Sequence, residues 1–249
     1  MAIPAISVWI TKLLVRDAPQ VEGWSRFPVR YVPLALLLMP IFMHGVMVPT
    51  ALVLGRLHWQ AWLTAGADGL YHTPADLGWG ALSRTGLVAR MAVNAIAGLL
   101  IVSILALFEE IGWRGWLLSQ LLQRAGTRTA VLFCSMIWAV WHIPFAWAGI
   151  LHLDGVPIAW TILLVPLGVF GSGLVIGWLW LRTRSLWIVA VSHGALNNWG
   201  QYAFKFTTGN GLPSDGFVFA AGALALMALG TLLLSRPANE SGTEKAVSP

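Results

Sequence analysis

Apolar residues run nearly unbroken over about 31 to 54, 90 to 122, 130 to 150, 157 to 181, 186 to 205 and 216 to 235. A helix that crosses a bilayer needs roughly 20 predominantly apolar residues, so each run is long enough to span. The pattern predicts an all-α fold, a polytopic transmembrane helical bundle of about six spans. The second run would measure ~50 Å as one helix at 1.5 Å per residue, too long to stand upright, which predicts a tilt or a bend near Gly112 and Gly115. Polar, glycine-containing sequence fills one long connection, Arg56 to Arg90, where His58, Asp68, His72 and Asp76 read as solvated loop residues. Residues 1–30 read as a cytoplasmic or interfacial N-terminal segment. Lys12 and Arg16 follow its apolar stretch, whereas a signal peptide would carry them ahead of it, so an interfacial helix is expected. One transmembrane domain then covers 31–235, with its motif-bearing core at about 90–205, and a polar tail covers 236–249.

Composition agrees with this picture. Apolar residues make up 57% of the chain and charged residues 10%, with a mean hydropathy of +0.74; a soluble domain carries roughly a quarter charged residues. The formal charge of +5 does not point to nucleic acid, because Lys and Arg accumulate in the cytoplasmic loops of membrane proteins. With the N-terminus inside, Lys12, Arg16, Arg26, Arg30, Arg124, Arg128, Arg182, Arg184, Arg236 and Lys245 fall on the cytoplasmic side, against Arg56, Arg84, Arg90 and Lys205 outside. A multi-pass protein of the cell membrane with both termini cytoplasmic is expected, its 15 tryptophans anchoring it at the bilayer interfaces. The single cysteine, Cys134, has no mate for a disulfide and reads as a small buried hydrophobe.

Within this apolar background the adjacent carboxylates Glu109 and Glu110 stand out, followed by Arg114 in the same run. An ionisable group in a membrane span is costly unless paired, and marks a functional site with a partner to be found. Counted at 1.5 Å per residue from the inner helix ends, Glu110 lies ~20 Å deep, His142 ~19 Å, His193 ~13 Å and Asn197 ~18 Å. Polar side chains from three spans at a similar level are what a site inside a bundle requires.

The spacing assigns them different work. Glu110 and Arg114 are i,i+4 neighbours with the acid N-terminal, the better orientation for an ion pair. Glu109 projects about 100° away and is left free to act as a general base. His142, in WAVWHIPF, is followed by Pro144, which can bend its helix and free backbone carbonyls. His193 and Asn197 share a helix face, one able to shuttle a proton and the other to donate an amide hydrogen to an oxyanion. His44, His152 beside Asp154, and Asn94 have no such company and read as structural.

The ordered set EExxxR, aromatic-xxx-His and HxxxN on successive spans resembles the CPBP family of intramembrane proteases, also called the Abi or CAAX-protease family, which includes the type II CAAX prenyl endopeptidases. Glu109 to Arg114 with Gly115 looks like the first motif, Trp138 to His142 the second and His193 to Asn197 the third, and the resemblance covers about residues 90 to 205. It implies that Glu109 and His142 hold and deprotonate a water, that His193 and Asn197 stabilise the oxyanion, and that Glu110 and Arg114 brace the site. Trp138 departs from the Phe that usually begins the second motif. One aromatic for another is expected to preserve packing and to bear on pocket shape more than on chemistry. Glu109, His142 and His193 could also supply the three protein ligands of a catalytic Zn²⁺. The helical signature HExxH is absent, which favours water activation with no obligatory metal.

The expected function is an intramembrane endopeptidase acting on a membrane-associated protein or peptide. The alternative is a non-catalytic scaffold, immunity or regulatory protein of the same fold. A proton-coupled transporter would also bury Glu and His, but the chain lacks the internal repeat that such a protein would carry.

Overall fold

The computed structural model describes residues 1–54, 65–73, 78–153, 155–200 and 214–236. His58, Asp76, Asp154, Lys205 and the tail from Pro237 lie outside the described residues. Among the described residues there are seven helices: α1 (Ile3–Leu14), α2 (Val32–Val53), α3 (Arg84–Leu122), α4 (Thr127–Trp147), α5 (Ile158–Thr183), α6 (residues 186–200) and α7 (Asp215–Ser235). α2, α3, α4, α5 and α7 are each long and apolar enough to cross a membrane. The run read as a fifth span is helical throughout its described part, α6. The protein is an all-α multi-pass membrane bundle, and among the described residues two short strands pair antiparallel beside it, Tyr71 with Leu82 and His72 with Ala81.

Helices in lipid associate through close packing more than through the hydrophobic effect, and small residues let backbones approach. α5 and α7 meet in this way: a Cβ on Gly171 would come within 2.9 Å of Met227 N and 3.0 Å of Ala223 O. α6 lies equally close to α3 at Gly194, where any side chain would strike Ser103. α5 passes to α6 through a two-residue turn. Arg184 takes the left-handed conformation (φ 47°) to end α5, and the Ser185 side chain accepts from Ile188 N at 3.3 Å to start α6.

α3 is one continuous helix, and it starts six residues before its apolar run because Ser83 caps it, its Oγ accepting from Gly86 N at 3.1 Å. The expected irregularity near Gly112 and Gly115 takes the form of a wide, π-helical stretch over Ile111–Leu118. A similar turn covers Asn94–Gly98 and another covers Leu196–Gly200. Wide turns release backbone carbonyls from the ordinary i→i−4 ladder, and neighbours take them up. Gly115 O accepts from Glu22 N (2.9 Å), Trp113 O from Cys134 Sγ (3.3 Å) and Arg114 O from Ser119 Oγ (3.2 Å). Cys134 is buried, as expected, and is also a donor.

The N-terminal segment packs on the bundle. Pro4 of α1 lies against Gly112, where an added Cβ would stand 2.5 Å from the proline Cβ. Trp9, Leu13 and Leu14 remain exposed on the other side of α1, an apolar face suited to lipid. Farther along, the segment is tied to the turn between α5 and α6. Leu186 N donates to Gly23 O (3.0 Å), Ser185 Oγ to Arg26 O (2.5 Å) and Trp187 Nε1 to Trp24 O (3.1 Å).

Candidate active site

Glu109 and Glu110 close the ordinary α-helical part of α3, immediately before its wide turn. Glu110 is fully buried. Its Oε1 receives Arg114 Nη1 at 2.9 Å from one turn on, and His193 Nδ1 of α6 at 2.8 Å. Arg114 is buried to 1% exposure and has a second contact, its guanidinium standing 4.4 Å above the Trp138 ring. A cation over an indole face is attracted by the ring's negative quadrupole, which offsets part of the cost of burying the charge.

Glu109 faces α4. Its Oε2 accepts from Trp138 Nε1 at 3.0 Å, and its Oε1 has no donor among the described residues. His142 is one turn further along α4, and its Nδ1 lies 2.8 Å from Trp138 O. A carbonyl can only accept, so Nδ1 carries a proton, and in the neutral ring Nε2 then keeps a lone pair. Pro144 has the effect expected of it, since α4 tightens at His142, whose N–H reaches back only three residues to Ala139 O at 3.0 Å. The Trp138 ring packs edge-on against both imidazoles, with centroids 5.5 Å from His142 and 5.0 Å from His193. Five of the six expected residues, Glu109, Glu110, Arg114, His142 and His193, are therefore joined around one tryptophan.

Asn197 is the sixth. It is half-buried one turn beyond His193, inside the wide turn that ends the described part of α6, and its side chain makes no hydrogen bond among the described residues. Its neighbour Asn198, which sequence reasoning did not single out, donates from Nδ2 to Asn94 O at 3.1 Å, and Trp199 Nε1 donates to Ala95 O at 3.3 Å. These bonds satisfy carbonyls in the wide turn at Asn94–Gly98, so two irregular turns hold each other and fix where HxxxN sits on α3. Asn94 is structural in this sense, and His44 bonds its own helix at Pro40 O.

No group of three His, Cys, Asp or Glu among the described residues comes together to hold a metal ion. Of the proposed ligands, Glu109 gives one oxygen to the Trp138 indole and His193 gives Nδ1 to Glu110. Glu110 meets His193 directly, and Glu109 and His142 each bond Trp138.

At residue 138 the structure adds a contact that the sequence reading did not anticipate: the indole N–H donates to Glu109, a bond that a Phe could not make. The signal was visible in the sequence as a Trp in a Phe position, but its partner lies 29 residues away on another helix.

Residues 91–199 match the family model described as type II CAAX prenyl endopeptidase Rce1-like. A curated relative, CAAX prenyl protease 2 of Methanococcus maripaludis, is 25% identical over 131 residues, 52% of this chain and 48% of the relative. The chain thus spans about half the length of that relative. The matched segment runs from the first wide turn of α3 to Trp199 and contains every residue of the site. Over that segment the chain is similar to the CPBP, or CAAX-protease, family of membrane proteases.

Proposed function

We propose that the chain is an intramembrane endopeptidase that hydrolyses a peptide bond in a membrane-associated protein or peptide, using a water activated by Glu109 and His142. The observation that carries this reading is that Trp138 holds both residues, Glu109 through its indole N–H and His142 through its carbonyl. Glu109 Oε1 and His142 Nε2 are then the two acceptors left to orient a water and take its proton. The hydroxide attacks the scissile carbonyl carbon, and the carbonyl oxygen becomes an oxyanion. In its doubly protonated form His193 donates through Nδ1 to Glu110 and keeps its Nε2–H for that oxyanion, with the Asn197 amide as a second donor. Collapse of the tetrahedral intermediate breaks the C–N bond, and the proton held by Glu109 or His142 passes to the leaving amine. Glu110 and Arg114 hold His193 in place and take no part in proton transfer.

Both termini are assigned to the cytoplasm on the loop charges, and substrate reaches the site from that side or laterally from the bilayer. The name of the Methanococcus relative, CAAX prenyl protease 2, makes a prenylated peptide ending in CAAX the first substrate class to try. The test compares membrane-associated peptides from cells carrying the wild-type chain and Glu109→Gln. A peptide that accumulates uncleaved only in the variant supplies both reaction and substrate. Identical peptide profiles, with Glu109→Ala and His142→Ala fully functional, would instead favour a non-catalytic scaffold.

A further inference from the structure

The contact that sets this site apart from the pattern its family resemblance implies is the one made by the indole nitrogen of Trp138. Phe, the residue the second motif usually carries, fills a similar space but has no N–H. In this chain that N–H lies 3.0 Å from Glu109 Oε2, and it is the single donor to the Glu109 side chain among the described residues. Glu109 is 5% exposed and Trp138 2%, so water competes little for either group. A hydrogen bond to an ionised group in such surroundings is charge-assisted and directional.

Two further contacts define the role. The guanidinium of Arg114 lies over the indole face at 4.4 Å, and its positive charge draws electron density from the ring. That makes the N–H a stronger donor. The same guanidinium is bound to Glu110, so the two adjacent glutamates are linked through Arg114 and Trp138. Meanwhile the Trp138 carbonyl fixes the ring of His142 through Nδ1.

We propose that Trp138 is a positioning residue for hydrolysis: its indole N–H pins Glu109 Oε2, so that Oε1 alone is presented to the water shared with His142. Without the pin the carboxylate turns about its terminal torsion, which has a broad and roughly two-fold profile, and the base loses alignment without any change in how substrate is bound. This inference rests on the hydrolase reading above, and its test is built so that the two can fail separately.

The test uses the full chain in proteoliposomes and, as probe, an internally quenched peptide with a farnesylated cysteine followed by three residues. Two replacements at position 138 are compared: Trp138→Phe, and Trp138→β-(3-benzothienyl)alanine, which keeps the bicyclic shape and exchanges the N–H for sulfur. Both are expected to lower kcat on the order of 10- to 100-fold, the loss that goes with one hydrogen bond to a charged group, with KM unchanged within about twofold. A benzothienyl variant with wild-type kcat, or one in which only KM rises, overturns the proposal and makes Trp138 a packing residue.

Glu109→Gln in the same assay tests the hydrolase reading itself, which falls if that variant cleaves as fast as wild type. A thermal-unfolding cycle of Trp138→Phe, Glu109→Ala and the double variant in detergent needs no activity. If the N–H holds the carboxylate, the double variant is markedly more stable than the two single losses would sum to, because each single change strands a buried partner. Strictly additive losses overturn the proposal even if no probe is ever cleaved.

Discussion

His193 reaches Glu110 across 83 positions of sequence, its Nδ1 lying 2.8 Å from the same carboxylate oxygen that Arg114 holds at 2.9 Å. Two donors from two helices thus converge on one buried atom. The ion pair is 0–1% exposed, and deleting one member of such a pair leaves a charge without compensation. Arg114→Ala is therefore expected to cost about 3–5 kcal/mol of stability, read as a lowered unfolding midpoint in detergent. An unchanged midpoint would show that Glu110 is held well enough by His193 alone.

The two adjacent glutamates should respond differently to the same change. Glu109→Gln keeps the shape and can still accept from Trp138, so it should fold and insert like wild type while cleavage falls by roughly 100-fold or more, the range of a lost general base. Glu110→Gln removes the charge that faces Arg114 and should act first on stability and on the amount of protein recovered from membranes. Equal stability losses in both would undo this division.

Gly194 follows His193 and faces the Ser103 backbone, where a Cβ would come within 2.7 Å of Ser103 Cα and 2.8 Å of Ser103 N. Backbone cannot move aside as a flexible side chain can. Gly194→Ala should push α6 away from α3, cost roughly 1–3 kcal/mol and weaken cleavage by shifting His193. Gly45, in α2, has nothing within 4 Å of its added Cβ. Gly45→Ala is the matched control, expected to be neutral or to raise the midpoint slightly, by about 1 kcal/mol at most.

Outside the spans, Asp68 accepts from Leu70 N at 3.0 Å and from His72 Nε2 at 2.7 Å. These bonds hold its carboxyl below the ordinary value of 3.8. A carboxylate whose value is depressed by folding supports structure fully above its ordinary value, and the support is lost as pH falls through the lowered one. Hydrogen exchange at the Leu70 amide, corrected for its intrinsic rate, should therefore quicken only below 3.8. Asp68→Asn should remove most of that pH dependence; a wild-type profile that is flat across the same window would contradict the assignment.

Local periodicity was enough to read five of the six expected spans, and the i,i+4 spacing was enough to read the pair of Glu110 and Arg114, because both depend on neighbours within one helix. A shared depth was enough to group His142 and His193 with the glutamates. The pairing within the group was not legible. Whether His193 meets Glu109 or Glu110 depends on how α6 is rotated against α3, and that is set by the contact at Gly194 and by the bonds from Asn198 and Trp199 to the opposite wide turn. The N-terminal segment was expected at the membrane interface, and its docking on Gly112 and Gly115 depends on contacts more than 90 positions apart that no local pattern encodes.

A π turn amounts to a one-residue insertion absorbed inside a helix. Deleting a single residue between Ile111 and Leu118 would return α3 to ordinary winding. The half that carries Glu109 and Glu110 could keep its contacts to α4 and α6, while everything beyond would rotate by about 100°. Ser119 and Gln120, now buried, would swing off that face. α3 therefore carries two phases along one axis, the first set by the site and the second by the N-terminal segment and the approach to α4. The number of residues between them keeps the two in step, whatever the chemistry of the side chains in that stretch.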